Sequence, residues 1–495
     1  MDSELEIEQL LCAEAFPHPV QRLELMETHL SWVILTGPFA YKIKKPVKYD
    51  FVDYSRVDLR KHYCQEELKL NRRFAPGLYL EVVPISRVDG KLKLDDASEP
   101  VAWAVKMREF PQHTILAARL EHDELTVSSV WQFGESLVQV HEDMTAATAD
   151  SNPLVPELIE RQSEENYQFL RGVLPDDWRM NLLRRVHHWS RWEYRYCLPA
   201  FRERLNGGRI RKCHGDMHLK NVLQLDGEVM AFDGIEFSAE LQWIDVMSEL
   251  AFPVMDFAAR GRPDLGWHLI NAYLETGGDY DGVRVLRYYL VYRALVRAKV
   301  TWMNPANHVS NIDSSGPWDK YLRAAELFAF GLQPALAITH GFSGSGKSTR
   351  ALDFIESTGG IRIRSDVERT RSMAERGQGG HNVTNQAAKY SEETSDRVYH
   401  QLLELAGVVA NSGLPVVVDA TFLKFARRRP FLQLATDRDI PFQILGCDAP
   451  PAELRQRIQS RYGDASEATI EVLDQQMADH DPLTTAELEF LAPSL

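Results

Sequence analysis

Two groups of residues in this chain have the types and the spacing that phosphoryl transfer needs. The first lies in the stretch KCHGDMHLKNVLQLDGEVMAFDGIEF, residues 212–237. In it Asp216 is followed five residues later by Asn221, and Asp233 comes after a short apolar run. This chemistry uses one Asp to accept the proton of an acceptor hydroxyl, and an Asn and a later Asp to hold Mg²⁺ against the phosphates of ATP. The stretch therefore predicts a phosphotransfer site.

The second group is the Gly-rich stretch GFSGSGKST, which follows an apolar run and precedes a predicted helix. It satisfies the pattern G-x-x-x-x-G-K-[ST], in which successive backbone N–H groups surround a phosphate. Lys347 would neutralise the β/γ-phosphates, and Ser348 would ligate Mg²⁺. The predicted nucleotide contacts are Gly341, Ser343, Gly344, Ser345, Gly346, Lys347, Ser348 and Thr349.

Further charged residues follow this loop in an order that suits the same chemistry. Asp366 and Arg369 share one face at a predicted helix start, so the carboxylate can accept a hydroxyl proton while the guanidinium holds an anion. Asp419 ends an apolar strand, where it would support Mg²⁺. Arg457 and Arg461 are spaced i, i+4 and can close over ATP as a lid. The alternatives are helix N-caps for the two aspartates and a solvated helix face for the lid arginines.

A lysine pair near the N-terminus fits the first site. The stretch FAYKIKK is predicted as a strand, and in a strand Lys42 and Lys44 point to the same face. One of them is expected to reach the α/β-phosphates, and we favour Lys42. Its partner on the following helix would be Glu67, with Glu66 as the less favoured choice. The alternative is a solvated edge strand rich in lysine.

The elements that position these residues fall into two parts with a change near residue 331. Residues 1–110 are predicted as two hairpins around one helix, and residues 111–331 as mainly helical with one small hairpin at Asp226-Gly227. In residues 332–495 short apolar strands alternate with helices, which indicates a parallel sheet.

Composition limits the classes of function. The chain has 495 residues, too many for one core, and a formal net charge of −15 at pH 7. An acidic protein repels nucleic acid on average, so such a partner is possible but not favoured. Five scattered cysteines predict reduced thiols and a cytoplasmic location. The acidic N-terminus differs from a signal peptide, and without a long uncharged apolar run we expect no membrane span.

The first site and its hairpins resemble the aminoglycoside and choline phosphotransferase family. CHGDMHLKN followed by AFDGIEF is similar to its His-Gly-Asp loop and to the metal-binding Asp that follows a strand, over about residues 25–300. The resemblance implies Asp216 as the catalytic base and Asn221 and Asp233 as metal ligands, and His214 would brace the loop. The first hairpin departs from the general kinase pattern because it lacks a G-x-G-x-x-G loop.

The C-terminal part resembles the P-loop kinase group that includes gluconate kinase-like enzymes, polynucleotide 5'-kinases and zeta-toxin-like kinases. GFSGSGKST, SDVER, VVVDAT and LRQRIQSR follow the motif order of that group, over most of residues 333–480. The resemblance implies that Asp366 is the general base toward the acceptor hydroxyl. The predicted fold is therefore an α+β kinase-like bilobal domain, residues 1–331, followed by an α/β P-loop domain with a parallel sheet, residues 332–495.

These features predict a bifunctional phosphotransferase that uses ATP and Mg²⁺ and acts on hydroxyl groups of small molecules at two independent sites. One alternative is a single active kinase with a regulatory nucleotide-binding domain. Another is polynucleotide 5'-hydroxyl kinase activity, which the run Arg427-Arg428-Arg429 favours slightly, although such a run is also typical of a solvated helix face. Acceptor specificity is expected in the helices of residues 160–205 and 240–305.

Overall fold

The described part of the chain forms two compact units. The computed structural model describes residues 6–49, 52–96, 98–147, 155–304, 316–375, 391–460 and 469–493. The first unit contains Met1–Ile159 and Arg202–Pro253, and the second contains Glu160–Phe201 and Val254–Leu495. Helices that precede residue 331 thus pack with the C-terminal part. The domain boundary near residue 331 stays a prediction.

A six-stranded antiparallel sheet forms the N-terminal part of the first unit. The strands and helix are, in chain order, β1 (Glu24–Glu27), β2 (Ser31–Leu35), β3 (Phe39–Lys44), a short pair β4 (Lys48–Tyr49) and β5 (Val52–Asp53), α1 (Val57–Asn71), β6 (Tyr79–Val88), β7 (Lys91–Leu94) and β8 (Pro100–Arg108). The sheet order is β1-β2-β3-β8-β6-β7. One face packs on an N-terminal segment that contains Leu10, and the other packs on α1 through Ala40 and Cys64. The sheet therefore presents one face of β3 to α1.

Helices and two small strand pairs follow in the first unit and continue into the second. They are α2 (Leu116–Glu121), α3 (Val127–Glu142), α4 (Val155–Val173), α5 (Trp178–Asn206), β9 (Ile210–Lys212), β10 (Val222–Leu225), β11 (Glu228–Ala231), α6 (Ala239–Gln242), β12 (Trp243–Asp245), α7 (Val246–Ala259), α8 (Pro263–Gly277), α9 (Val283–Met303) and α10 (Asp319–Glu326). The β10–β11 hairpin turns at Asp226-Gly227, as predicted, and β9 pairs with β12. The loop that carries Asp216 lies between β9 and β10.

A four-stranded parallel sheet forms the core of the C-terminal part. The elements are β13 (Leu336–His340), α11 (Lys347–Thr358), β14 (Ile361–Arg364), α12 (Ser365–Glu375), α13 (Glu392–Asn411), β15 (Val416–Asp419), α14 (Phe425–Asp437), β16 (Phe442–Gly446), α15 (Pro451–Gln459), α16 (Ile470–Ala478) and α17 (Thr485–Leu488). The sheet order is β14-β15-β13-β16, so β13 and β15 are central and β14 is an edge strand. The Gly-rich loop follows the carboxyl end of β13 and Asp419 is the last residue of β15, so both lie at the same end of the parallel sheet.

The predicted architecture is confirmed, with differences in two elements. The turn at Asp89-Gly90 joins β6 to β7, a strand that the sequence analysis did not identify, and β8 then pairs with β6 from its other side. The sequence predicts a helix over residues 243–259, but helix α7 begins at Val246 because residues 243–245 pair with β9 as a strand. Within the described ranges, the helices do not include one long and apolar enough to cross a bilayer.

Candidate active sites

Two lysines of β3 meet one buried carboxylate in the first unit. Lys42 Nζ donates to Glu67 Oε1 at 2.8 Å, and Lys44 Nζ donates to Glu67 Oε2 at 2.7 Å. Glu67 is fully buried on α1. Its neighbour Glu66 instead pairs with Lys212 at 3.1 Å, because consecutive helix residues point in different directions. Of the pairs left open by the sequence, the structure brings both lysines to Glu67.

The opposite charges of this cluster determine its ionisation. Burial alone would raise the pKa of Glu67, but the two ammonium groups outweigh burial and lower that pKa to about 2. Burial likewise opposes the charged form of the lysines, yet Asp233 and Glu67 raise the pKa of Lys42 well above its usual value. Glu236 and Glu67 do the same for the pKa of Lys44. Glu67 and both lysines are therefore charged at neutral pH.

Lys44 has further partners that the sequence analysis missed. Its ammonium group contacts Glu236, a buried residue three positions after Asp233. The hydroxyl of Tyr54 donates to the same Glu236 carboxylate at 2.6 Å. The available signal was a single acidic residue in the otherwise apolar run GIEF, which carries a charge into the interior. Lys44 thus links α1 to the segment that follows Asp233.

The backbone around Asp233 is positioned by side chains from α1 and β6. Asp233 has φ +62°, and its N–H donates to the hydroxyl of Tyr79 at 2.9 Å. The next N–H, of Gly234, donates to Asn71 Oδ1 at 2.8 Å. Asn71 lies one helical turn after Glu67, so α1 contacts both the lysines and this segment. The Asp233 carboxylate is exposed and contacts Lys42.

The loop that carries Asp216 folds against the Asp233 segment. Asn221 Nδ2 donates to the backbone oxygen of Asp216 at 3.0 Å and to its carboxylate at 3.1 Å. His214 is fully buried and has its Nε2 atom 2.8 Å from the oxygen of Phe232, while its Nδ1 accepts the N–H of Asp216 at 3.3 Å. These contacts are those of a residue that braces the loop. Asp216, Asn221 and Asp233 are thus joined through adjoining backbone segments.

A buried glutamate on α7 supports the same loop and was also missed. Glu249 accepts the N–H of His214 at 2.6 Å and the N–H of Gly215 at 3.0 Å. Gly215 has φ +86°, and a Cβ there would lie 2.6 Å from the backbone oxygen of Leu241. Glu249 also groups with His141 and Cys213, with ligand atoms within 4.8 Å of one another. Since its carboxylate already accepts two backbone protons, we interpret Glu249 as a loop support rather than a metal ligand.

The Gly-rich loop of the second unit has the backbone that a phosphate-binding turn requires. Gly341 has φ +148°, and a Cβ there would lie 2.2 Å from the oxygen of Cys447. Gly346, with φ +94°, caps α11, whose N-terminal N–H groups are suited to an anion. Lys347 Nζ donates to the oxygen of Phe342 at 2.8 Å and so lies across the loop. Ser348 follows on the first turn of α11.

A cavity of about 1010 Å³ joins this loop to the other predicted residues of the second unit. Asp366, on the first turn of α12, and the mostly buried Arg369 line it. Asp419, at the end of β15, lies 3.8 Å from the guanidinium of Arg364. The sequence analysis had not identified Arg364, although it is the last residue of β14 and precedes Asp366 by two positions.

Two helices after β16 contact the Gly-rich loop. Arg457 on α15 donates to the oxygen of Gly344 at 3.2 Å. Gln476 on α16, which was missed, accepts the N–H of Ser343 at 3.0 Å and donates to its hydroxyl at 3.1 Å. Arg457 therefore lies beside the Gly-rich loop, and its role as a lid residue stays a prediction. Arg461 lies outside the described residues.

The donor atoms of both sites fit Mg²⁺ and a nucleoside triphosphate. The candidate metal ligands are oxygen atoms of Asn221 and Asp233 in one site and of Ser348 and Asp419 in the other, the type that Mg²⁺ prefers. In the first site two ammonium groups face three carboxylates, counting that of Glu236. Asp233 is the exposed carboxylate of this cluster, so a cation can be accommodated beside it.

The arginines of the basic run that was considered for nucleic-acid binding have different surroundings in the structure. Arg428 is almost fully buried and donates to Glu487 at 2.6 and 3.0 Å. Arg427 pairs with Asp396 at 3.0 Å. Two of the three guanidinium groups are therefore already paired within the protein, which weakens the argument for a nucleic-acid surface there.

Comparison with known proteins agrees with the P-loop assignment. Residues 336–483 match a family model described as an AAA domain. Uncharacterized proteins of Mycobacterium bovis and Mycobacterium tuberculosis are 28% identical over 458 residues, which is 92% of this chain and 90% of theirs. The chain is thus similar to these relatives over both parts, and their names give no activity.

Solved kinase structures align with part of the chain. A choline/ethanolamine kinase family protein from Mesorhizobium loti covers 66% of this chain and 100% of its own, at 14% identity and a TM-score of 0.37. A choline kinase from Cryptosporidium parvum covers 66% and 94%, at 10% identity and 0.40. A sugar kinase from Janibacter covers 32% and 82%, at 22% identity and 0.23. Residues 336–483 contain the four-stranded parallel sheet and the Gly-rich loop, so the match to the family model covers the P-loop part of the chain.

Proposed function

We propose that this protein is an ATP-dependent phosphotransferase with two active sites, each acting on a hydroxyl group of a small molecule. The observation that carries the proposal is the contact of Lys42 with both Glu67 and Asp233. A kinase-type site needs this lysine–glutamate pair together with the metal-binding aspartate. The complete Gly-rich loop with Lys347 supports the second site.

In the first site each group has a role that its contacts support. Bound Mg²⁺·ATP would supply the γ-phosphoryl group with its negative charge partly neutralised. Lys42 orients the phosphates while Glu67 fixes its ammonium group, and Asn221 and Asp233 would hold the metal. Asp216 accepts the proton of the acceptor hydroxyl, because a carboxylate beside the attacking oxygen is the base that this transfer requires.

In the second site some residues around the cavity would bind ATP, the phosphoryl donor, and others would bind the molecule that accepts the phosphoryl group. Lys347, Ser348 and Asp419 lie on the side of the Gly-rich loop and would hold Mg²⁺·ATP. Asp366 accepts the acceptor proton, and Arg369 neutralises negative charge beside it. The polar walls of the cavity suit a small acceptor with several hydroxyl groups, such as a sugar, an amino-sugar or a nucleoside.

The proposal is tested by single-site variants of the full chain in a screen of sugars, amino-sugars, nucleosides and 5'-hydroxyl oligonucleotides. Asp216→Asn should abolish one phosphorylation activity and leave the other, and Lys347→Ala should do the reverse. Each loss should be roughly 10²-fold or more, the usual contribution of such groups. Excess EDTA should stop both activities.

Two other results would redirect the proposal. Loss of both activities in either folded variant would contradict two independent sites and favour one kinase with a regulatory nucleotide-binding domain. Phosphorylation of oligonucleotides alone would favour polynucleotide 5'-hydroxyl kinase activity. The cytoplasmic location and the acceptor-binding role of the helices in residues 160–205 and 240–305 stay predictions.

A further inference from the structure

Helix α8 is buried, yet one of its faces carries a row of polar side chains. Residues 265–275 are all buried, so the helix is surrounded by protein. Three of them, His268, Asn271 and Glu275, are spaced i, i+3 and i+7 and therefore lie on one face. All three contact the P-loop part of the second unit.

Asn271 pairs with the free edge of β14 as another strand would. Its Oδ1 accepts the N–H of Arg362 at 2.6 Å, and its Nδ2 donates to the oxygen of Gly360 at 3.0 Å. The hydroxyl of Tyr280 donates to the oxygen of Arg362 at 3.4 Å. Backbone groups at the edge of a sheet need such partners when they are buried. The outer edge of β14 is thus completed by side chains from the segment 271–280.

Glu275 neutralises the arginines of the same strand. Arg362 and Arg364 point to one face of β14, and Arg362 is only 3% exposed. Glu275 accepts from Arg362 Nε at 2.7 Å and lies 3.7 Å from Arg364. The Arg364 guanidinium lies 3.8 Å from Asp419 on its other side. Arg364 is therefore shared between Glu275 and the candidate metal carboxylate.

The end of α8 also contacts α12, which carries Asp366 and Arg369. Arg371 Nη2 donates to the backbone oxygen of Glu275 at 2.5 Å, and its other nitrogen contacts Glu368. Gly278, which caps α8 with φ +72°, allows this approach, since a Cβ there would lie 2.7 Å from Arg371. Strand β14, which carries Arg364, and helix α12, which carries Asp366 and Arg369, are thus both in contact with α8.

We propose that α8 is part of the P-loop active site, and that Glu275 is a positioning residue which keeps Arg364 from neutralising Asp419. Without the Glu275 carboxylate, Arg364 moves toward Asp419 and competes with the divalent cation for it. This proposal rests on the proposed nucleotide-binding role of the P-loop. It explains why a helix outside residues 332–495 contains polar residues aimed at that domain.

The test measures the Mg²⁺ dependence of binding of a non-hydrolysable ATP analogue to the full chain. All variants carry Asp233→Asn, which removes the metal carboxylate of the other site. Glu275→Gln should raise the Mg²⁺ concentration for half-maximal binding by roughly three- to tenfold, since one nearby charge is released. Binding without Mg²⁺ should change little. Glu356→Gln is the matched control, because it removes the 2.7 Å contact with His268 on the same helix face without touching β14.

A double variant separates positioning from a merely structural effect. Glu275→Gln with Arg364→Gln should return the Mg²⁺ dependence to that of the control, because the competing guanidinium is gone. It should not restore thermal stability, because Arg362 still lacks its buried partner. Hydrogen exchange of the metal-free protein should be faster at residues 361–364 in Glu275→Gln and unchanged in Glu356→Gln.

The experiment distinguishes a wrong role for Glu275 from a wrong nucleotide-binding role for the P-loop. If Lys347→Ala binds the analogue as well as its parent, the nucleotide-binding role is wrong. If Lys347→Ala abolishes binding while Glu275→Gln and Glu356→Gln have the same Mg²⁺ dependence, the positioning role of Glu275 is wrong. A Mg²⁺ defect that persists in the double variant would also contradict it.

Discussion

At the residue scale, the two lysines of β3 have different surroundings. Lys42 is in contact with the exposed Asp233, whereas Lys44 is almost fully buried between Glu67 and Glu236. We infer that Lys42 serves the nucleotide and that Lys44 mainly holds α1 against the Asp233 segment. We expect this second lysine to hold Glu67 in place whether or not ATP is bound.

Substitution of the two lysines should therefore have different effects. Lys44→Met should destabilise the first unit by about 3–5 kcal/mol, because it leaves buried carboxylates without their partner. Lys42→Met should mainly remove nucleotide binding at this site. Urea unfolding and ATP-analogue binding measure the two effects. A Lys44→Met, Glu236→Gln double variant should recover part of the stability, and equal losses for both single lysine variants would contradict the assignment.

The low pKa of Glu67 predicts a loss of stability in acid. Its pKa is about 2 in the folded protein and about 4.5 unperturbed, so the folded state binds fewer protons between these values. Its contribution is complete above about pH 4.5 and is lost as the pH falls toward 2, by an amount on the order of a few kcal/mol. Thermal unfolding across this range should show a shallower pH dependence in Glu67→Gln than in the parent. An identical slope would be inconsistent with the lowered pKa.

At the element scale, the Asp216 loop depends on close packing that only glycine permits. Gly215 combines φ +86° with a backbone oxygen 2.6 Å from the position of a Cβ. Gly227, in the β10–β11 turn, has φ +89° and open space around it. The two glycines therefore differ in packing but have nearly the same positive φ.

Alanine at these two glycines should separate conformational strain from steric overlap. Gly227→Ala should cost roughly 1–2 kcal/mol, the usual penalty for a left-handed backbone at a residue with a Cβ. Gly215→Ala should cost more and should also lower activity of the first site, because the loop must shift away from Leu241. Denaturant unfolding and the phosphorylation assay test this. Equal effects would mean that the loop accommodates a Cβ at Gly215.

At the scale of the whole molecule, each compact unit is built from two separate stretches of the chain. Helix α8 precedes residue 331, yet it belongs to the second unit and completes the edge of its parallel sheet. A fragment of residues 332–495 should therefore unfold at a lower temperature than a fragment of residues 254–495. It should also show faster hydrogen exchange in β14, where Arg362 loses Glu275. Equal melting temperatures and equal exchange would show that the P-loop domain does not need α8.

The sequence by itself determined the two phosphotransfer motifs, two N-terminal hairpins, the parallel sheet and most helices. These features depend on local patterns: glycines with a lysine after an apolar strand, an Asp followed by an Asn in a loop, and strands that alternate with helices. The kinase-like pattern also favoured Lys42 and Glu67 beside Asp233, and it left Lys44 and Glu66 open. The roles of these residues stay predictions that the variants above test.

Only the tertiary structure decided which distant charges meet inside the protein. Glu236, Glu249 and Glu275 each stand in ordinary helical or loop sequence, and nothing in their spacing indicates a partner. Their partners lie on elements far away in the chain, and burial without those partners would cost several kcal/mol. The sequence likewise predicts a strand at IRIR, but only packing against α8 shows that Arg362 is buried. Such contacts arise from which surfaces pack together, and local periodicity carries no information about that choice.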